Sequence, residues 1–236
     1  MSSDKLAVLI DADNAQGSIA AELLAEVSRY GTATIKRAYG DWTTPNLRGW
    51  KEHLQSLAIQ PIQQFANTTG KNATDSALII DAMDLLHGGL VNGFCIVSSD
   101  SDFTRLATRI RESGLVVYGL GEQKTPAAFV AACDKFIYTE ILRPESTAVA
   151  PAQEAPEPLR PMLERAIAAA ARDSGWAALA AVGAQMNKNS PSFDPRNYGF
   201  PKLGELVKHQ AYLETKEVPF GDGSTNVHIF VRVRGA

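Results

Sequence analysis

The chain has 236 residues, of which 45% are hydrophobic and 21% are charged, and its formal net charge is −3. This is an ordinary globular composition, and no apolar run is long enough to span a bilayer, so a membrane is excluded as a partner. The first residues lack the basic segment of a signal peptide. Cys95 and Cys133 stand in apolar contexts, which predicts two buried thiols rather than a disulfide, and the cytoplasm is the expected compartment.

Charge is divided unevenly along the chain. Residues 1–142 carry 12 Lys and Arg against 16 Asp and Glu, whereas residues 159–236 carry 10 against 7. Five prolines lie between residues 143 and 161, where apolar periodicity is lost. We therefore predict an acidic domain over 1–142, a Pro/Ala-rich linker over 143–158 and a mildly basic domain over 159–236 with an anionic partner.

Strand-like and helix-like segments alternate through residues 1–142. The predicted strands are 6–10, 33–39, 59–65, 94–97, 115–118 and 136–138. The predicted helices are 19–30, 47–57, 76–86, 103–110 and 127–133. This alternation predicts right-handed crossovers and a mostly parallel sheet covered by helices on both faces, which is an α/β fold.

The C-terminal part has a different pattern. Helical spacing covers residues 159–171, 177–186 and 198–209. Two strands, 212–217 and 227–233, follow around a turn at 221–223. Three helices followed by a hairpin predict a winged-helix domain.

Aspartates follow the predicted strands or open the next helices. Asp11 ends the first strand, Asp100 follows strand 94–97, and Asp75 and Asp102 each open a helix. The carboxyl ends of parallel strands meet at one edge of a sheet, so we expect these carboxylates to converge there. Clustered carboxylates repel one another unless a cation neutralises them, and oxygen ligands suit Mg²⁺ or Mn²⁺. Such an ion activates water for attack on a phosphodiester.

Structural explanations stand beside this one. Asp is a common helix cap, so Asp75 and Asp102 are also explained as first-turn residues. Asp81 lies six residues after Asp75, on another face of the helix, and is assigned to structure.

Two further motifs are weighed and set aside. Residues 11–14, DADN, resemble the first motif of haloacid-dehalogenase phosphatases, but Ala15 stands where that motif has Thr. Gly119 and Gly121 lack the third glycine of a dinucleotide-binding loop, and we interpret them as a turn.

Residues 5–140 resemble the NYN domain, a branch of the PIN-like nucleases that also occurs in LabA-like proteins. The motifs are LIDADN at 9–14, KNATD at 71–75 and VSSDSDF at 97–103. The resemblance implies a three-layer α/β/α fold and metal-dependent RNA cleavage. It makes Asp11, Asp75 and Asp100 metal ligands, Asp102 a fourth, and Asn14 a holder of the metal-bound water or a phosphate.

Residues 159–235 resemble the LOTUS domain, also called OST-HTH, through GW at 175–176, PSFDPRNYGF at 191–200 and KLGEL at 202–206. LOTUS domains bind RNA or, in some cases, proteins. Cations with an interleaved aromatic near the third helix are the candidate RNA contacts. The predicted RNA-binding residues are Lys188, Arg196, Tyr198, Lys202 and Lys208, with Lys71 in the first domain. The alternative is that Tyr198 packs in the core and the lysines are solvated.

The leading hypothesis is an endoribonuclease that cleaves single-stranded RNA held by the LOTUS domain. One rival is a non-catalytic RNA-binding regulator, and another is an adaptor whose LOTUS domain binds a protein partner. A homo-oligomer is left open.

Overall fold

The structure, a computed structural model, describes residues 4–65, 73–143, 158–171, 175–219 and 227–235. The chain divides into two compact units, Met1–Ser146 and Thr147–Ala236. Residues 144–157 of the predicted linker and residues 221–223 of the predicted turn lie outside the described residues.

The first unit is built on a six-stranded parallel sheet. Its strands are β1 (Lys5–Asp11), β2 (Thr32–Gly40), β3 (Gln60–Gln63), β4 (Gly93–Val97), β5 (Val116–Gly121) and β6 (Lys135–Tyr138). Its helices are α1 (Ala20–Val27), α2 (Arg48–Ser56), α3 (Ala73–Gly88), α4 (Thr104–Glu112) and α5 (Ala127–Ala132). The predicted α/β fold is confirmed.

A hydrophobic core lies on each face of the sheet. On one face, Leu78 of α3, Leu106 of α4 and Phe129 of α5 pack against the strands. On the other face, Leu23 of α1 and Trp50 of α2 do so. Helices thus cover both faces, because a buried parallel strand is apolar on both sides.

Strand order places a crevice at the middle of the sheet. The order is β3-β2-β1-β4-β5-β6, so the chain winds in opposite directions on the two sides of the β1–β4 pair. In sheets of this kind, ligands bind beyond the carboxyl ends of the strands at this reversal. Asp11 is the last residue of β1, and Val97 is the last of β4, directly before the run Ser98–Asp100.

Both cysteines are buried free thiols, as expected. Burial raises the pKa of Cys95 to about 12, and that of Cys133 to about 12 as well. Among the described residues, none of the helices has the length and apolarity to cross a bilayer.

The interpretation of Gly119 and Gly121 as a turn is wrong, since both lie inside β5. A Cβ on Gly119 would lie 2.4 Å from the Phe136 ring, and one on Gly121 would lie 2.5 Å from the Ser98 carbonyl oxygen. These glycines are therefore explained by close packing, which the local sequence does not reveal.

The second unit combines three α-helices with a three-stranded antiparallel sheet, an arrangement consistent with a winged-helix domain. The helices are α6 (Leu159–Ala170), α7 (Leu179–Asn189) and α8 (Leu203–Lys208). The strands are β7 (Ala177–Ala178), β8 (Leu213–Pro219) and β9 (Val227–Val233), in the order β7-β9-β8. Leu163, Val182, Leu206 and Val231 are at the centre of its core.

Two details of this unit differ from the sequence prediction. The third helix, expected within 198–209, is α8, which is shorter than that range, and a 3-10 helix, Pro195–Tyr198, precedes it. Gly199 ends the 3-10 helix with φ of 81°, a left-handed conformation that favours glycine. Ala177 and Ala178, expected to begin the second helix, pair instead with Val231 and Phe230 of β9.

Candidate active site

Three aspartates from two parts of the chain meet beyond the sheet. Asp75, Asp100 and Asp102 each present a carboxylate oxygen, and these oxygens lie within 4.8 Å of one another. Asp75 is buried in the first turn of α3, Asp100 is half-buried after β4, and Asp102 is exposed. Their spacing is within the reach of a single cation coordinated by oxygen.

Local capping explains the position of Asp100. Its Oδ1 accepts a hydrogen bond of 2.9 Å from the backbone N–H of Asp102, at the start of the 3-10 helix Ser101–Phe103. This cap gives Asp100 a structural role, and it places Asp102 in the first turn, which is the position that the structural alternative proposed for Asp102. It does not explain why Asp75, which belongs to another helix, is held beside both carboxylates.

Asp11 is adjacent to this group but not a member of it. Its side chain is 1% exposed. Oδ2 accepts hydrogen bonds of 2.8 Å from Asn14 Nδ2 and of 2.8 Å from Ser98 Oγ. Oδ1 is buried and has no hydrogen-bond partner among the described residues. Burial raises the pKa of Asp11, although both hydrogen bonds lower it. An unpartnered buried carboxylate oxygen calls for an explanation such as an ion.

The acidic residues interact electrostatically. The pKa of Asp75 is raised to about 6, first by burial and then by the negative charges of its neighbours. In decreasing order of effect these neighbours are Asp11, Asp100, Asp102 and Asp13. Asp13 also accepts a 3.0 Å hydrogen bond from Thr74 Oγ1, which brings the start of α3 next to the loop after β1.

Sequence reasoning did not single out Ser98. Its hydroxyl is buried, accepts a 3.1 Å hydrogen bond from the Asp100 N–H and donates to Asp11. It therefore links the loop after β4 to the end of β1. Its position directly after a buried strand, within the motif at 97–103, was an available signal.

Lys124 is a second residue that sequence reasoning missed. A cleft of about 220 Å³ is lined by Asn14, Asp100 and Lys124, together with Ser99, Ser101 and Pro126. Lys124 Nζ lies 2.6 Å from Glu122. Its signal was its place in the loop after β5, at the same edge of the sheet.

Asp81 is not part of this carboxylate group. Asp81 accepts hydrogen bonds from Tyr39 and Arg37 and so ties α3 to β2. This is the structural role that we assigned to it. Lys71, a predicted RNA contact, lies outside the described residues.

Three of the five predicted RNA contacts of the second unit, Arg196, Tyr198 and Lys208, already interact with other residues of the unit. Arg196 forms a 2.8 Å ion pair with Asp194, and Lys208 forms a 2.6 Å ion pair with Glu217. Tyr198 packs with its ring centroid 6.0 Å from that of Phe193. Lys188 and Lys202 are exposed. The roles of all five in RNA binding remain predictions.

Two family models match successive parts of the chain. A family model described as the NYN domain matches residues 5–142, and one described as the OST-HTH/LOTUS domain matches residues 153–225. The first is a family of nuclease domains, and the second suggests RNA binding. No curated protein matches the chain.

Solved structures that are similar to parts of this chain include the following three. A Vibrio parahaemolyticus protein of unknown function is 19% identical, with 57% of this chain and 91% of that one covered and a TM-score of 0.48. A fragment of a Chromobacterium violaceum protein is 42% identical, with 37% and 90% covered and a TM-score of 0.28. An uncharacterized Nitrosomonas europaea protein is 35% identical, with 39% and 91% covered and a TM-score of 0.29.

Proposed function

We propose that this chain, which belongs to the NYN domain family, is a metal-dependent endoribonuclease whose LOTUS domain binds the RNA. The observation that carries the proposal is the convergence of Asp75, Asp100 and Asp102 beside the buried Asp11. They lie at the strand-order reversal, where an α/β sheet binds its ligands.

The residues present fit a hard divalent cation. The candidate donors are carboxylates without His or Cys, a set that suits Mg²⁺ or Mn²⁺. Asp75, Asp100 and Asp102 would hold the ion, and the unpartnered Oδ1 of Asp11 faces no competing hydrogen bond from a described residue. Burial, and then the negative charges of its neighbours, raise the pKa of Asp75 to about 6, and a positive ion would relieve the repulsion among these charges.

A bound Mg²⁺ or Mn²⁺ would supply the positive charge that activates a water and stabilises the negative charge developing on a phosphodiester. The side chains have supporting roles. Asn14 and Ser98 orient Asp11 through Oδ2. Lys124 lines the same cleft as Asp100 and can attract a phosphate of the RNA backbone.

The phosphatase alternative fits less well. In that mechanism Asp11 would attack phosphorus, which requires an accessible carboxylate. Asp11 is 1% exposed, and Asn14 and Ser98 both bond to its Oδ2. The regulator alternative does not explain why Asp75, Asp100 and Asp102 converge beside the buried Asp11.

The test is cleavage of a fluorescent single-stranded RNA by the full-length chain. Cleavage is expected with Mn²⁺ or Mg²⁺ and not in EDTA. Metal-independent cleavage would contradict the mechanism. Hydrolysis of p-nitrophenyl phosphate without action on RNA would favour the phosphatase, and RNA binding without any cleavage would favour the regulator.

The LOTUS domain is proposed to supply RNA affinity. Residues 159–236 carry 10 Lys and Arg against 7 Asp and Glu, opposite in sign to the nuclease domain. Affinity should fall as salt rises, because phosphate contacts release counterions. If RNA does not bind at low salt, the adaptor alternative gains.

A further inference from the structure

The two faces of the LOTUS-domain sheet differ in composition. Ala177, Leu213 and Val231 are buried against the helices. Side chains alternate along a strand, so their sequence neighbours face the other way. On this opposite surface we define the aromatic face as five residues at the alternate strand positions and next to Ala177: Trp176, Glu214, Lys216, Phe230 and Arg232.

Contacts of neighbouring residues confirm the orientation of this surface. Glu217 forms its 2.6 Å ion pair with Lys208 of α8, so Lys216 faces away from the helices. Ile229 Cδ1 lies 3.5 Å from the position that a Cβ on Gly204 of α8 would occupy. Phe230, the next residue, therefore also faces away.

Cations lie against aromatic rings across the aromatic face. Lys216 Nζ is 4.3 Å from the centroid of the Trp176 ring and 5.4 Å from that of Phe230. Arg232 Cζ is 4.6 Å from the Trp176 ring centroid. Trp176 and Phe230 are half-buried, whereas Lys216 is exposed.

We propose that the aromatic face binds single-stranded RNA by stacking unpaired bases on Trp176 and Phe230. Lys216 and Arg232 contact the adjoining phosphates. This rests on the proposed function in taking RNA as the ligand, but it assigns the contact to the sheet rather than to the region around α8. Aromatic rings interleaved with cations are the physical basis of single-strand binding.

The charges on this face favour a polyanion over a neutral partner. Two cations, Lys216 and Arg232, face one acid, Glu214, which is 2.7 Å from Arg232. Lys216 is long and exposed, so it can turn from the Trp176 ring to a phosphate and leave the ring open to a base. In a duplex the base faces are covered by stacking, so paired RNA is the poorer ligand.

The first experiment measures RNA affinity of the full chain in EDTA by fluorescence anisotropy, with a labelled single strand of about twelve nucleotides. Trp176→Leu and Phe230→Leu should each weaken binding roughly tenfold. Trp176→Phe should retain most of the affinity, because it keeps a stacking ring. Phe200→Leu, which removes a half-buried ring packed on His209, is the matched control and should bind as the parent.

A second readout reports stacking directly. The chain has three tryptophans, and the other two, Trp42 and Trp50, lie in the nuclease domain. RNA should quench the parent fluorescence, and Trp176→Phe should lose the quench while still binding. Heparin, an anion without bases, should bind without quenching. Glu214→Gln should strengthen RNA binding about twofold by removing a negative charge.

Unchanged RNA affinity in both leucine variants, with thermal unfolding like the parent, would overturn the proposal. Equal affinity and quench with duplex RNA would also overturn it. If a leucine variant does not fold, the fluorescence of Trp176→Phe tests the proposal: a quench by RNA that persists in this variant would contradict stacking on Trp176. The outcome is separable from nuclease activity: Trp176-dependent binding without cleavage in Mn²⁺ supports the aromatic face and removes the nuclease. Cleavage in Mn²⁺ together with RNA binding that does not depend on Trp176 would support the nuclease and contradict the aromatic face.

Discussion

The acidic site and the aromatic face distribute charge in opposite ways. In the NYN domain, the carboxylates of Asp75, Asp100 and Asp102 come together within 4.8 Å, and burial followed by repulsion among the acids raises the pKa of Asp75. In the LOTUS domain, each cation of the aromatic face already lies against a ring. The first arrangement brings like charges together, which a cation would neutralise, whereas in the second each cation already has a ring as its partner and can exchange that ring for a phosphate. We therefore expect the loss of one carboxylate at the acidic site to have a larger effect than the loss of one ring at the aromatic face.

The largest effect is expected from Asp100→Asn. It removes one ligand charge at nearly constant volume while an amide oxygen can still cap the 3-10 helix. RNA cleavage should fall at least roughly 100-fold, since even outer partners of metal ligands are commonly worth 10–100-fold. Single-turnover cleavage at saturating Mn²⁺ measures the loss.

Asp84→Asn is the control for this variant. Asp84 is exposed on α3, the same helix as Asp75, and is not a member of the carboxylate group. It should cleave RNA like the parent. Full activity in Asp100→Asn would show that the chemistry occurs elsewhere.

Ser98→Ala should have the next largest effect. It removes the hydroxyl that donates to Asp11 and accepts from the Asp100 N–H. The Mn²⁺ concentration for half-maximal cleavage should rise roughly tenfold, as expected for a residue that orients a ligand. Maximal cleavage at high Mn²⁺ should recover, and a defect that metal cannot correct would mean that Ser98 has a different role.

Most strands and the placement of the acids were predictable because they depend on local pattern. Asp11 and Asp100 follow apolar runs, and the covalent chain alone puts them at strand ends. Which of the acids form one group in space was harder to predict from the sequence. Asp11 is held apart by Asn14 and Ser98, a detail that depends on side-chain hydrogen bonds.

The missed features depend on non-local contacts. The strand at Ala177 exists because it pairs with Val231, more than fifty residues away along the chain. That pairing buries Ala177 and so places the Trp176 side chain on the opposite face of the sheet. The sequence motif that contains Trp176 gives no sign of this orientation. Gly119 was misread because the Phe136 ring that requires it belongs to the next strand.

Removal of residues 147–236 should separate affinity from catalysis. The remaining unit keeps its own two cores and its carboxylate group. The KM for RNA should rise roughly tenfold because the tethered domain no longer concentrates RNA near the site. The kcat should change less. Steady-state cleavage of one RNA by both forms measures the split, and a fall in kcat without a change in KM would contradict this division of roles.

The smallest effect is on stability, and it follows from the raised pKa of Asp75, which burial and then the neighbouring negative charges cause. The folded pKa of Asp75 is about 6, above its ordinary value of 3.8. The folded protein therefore binds this proton more tightly than the unfolded chain does, and the resulting stability is present below pH 4 and lost as pH rises through 6. Because solvent around the half-buried Asp100 and the exposed Asp102 screens their charges, the loss is about 1 kcal/mol, or roughly 3 °C in Tm.

The Tm of the parent is compared with that of Asp75→Asn in EDTA, at each pH. The difference between the two Tm values cancels the titration of groups that the substitution does not affect. The parent Tm should fall relative to the variant between pH 4 and pH 7. Mn²⁺ at pH 7.5 should then raise the parent Tm more than the variant Tm, because a cation relieves the repulsion and binds only the complete set well. Parallel Tm curves in EDTA would show that Asp75 does not interact with the neighbouring acids in solution, and the cluster would then be a set of independent surface carboxylates.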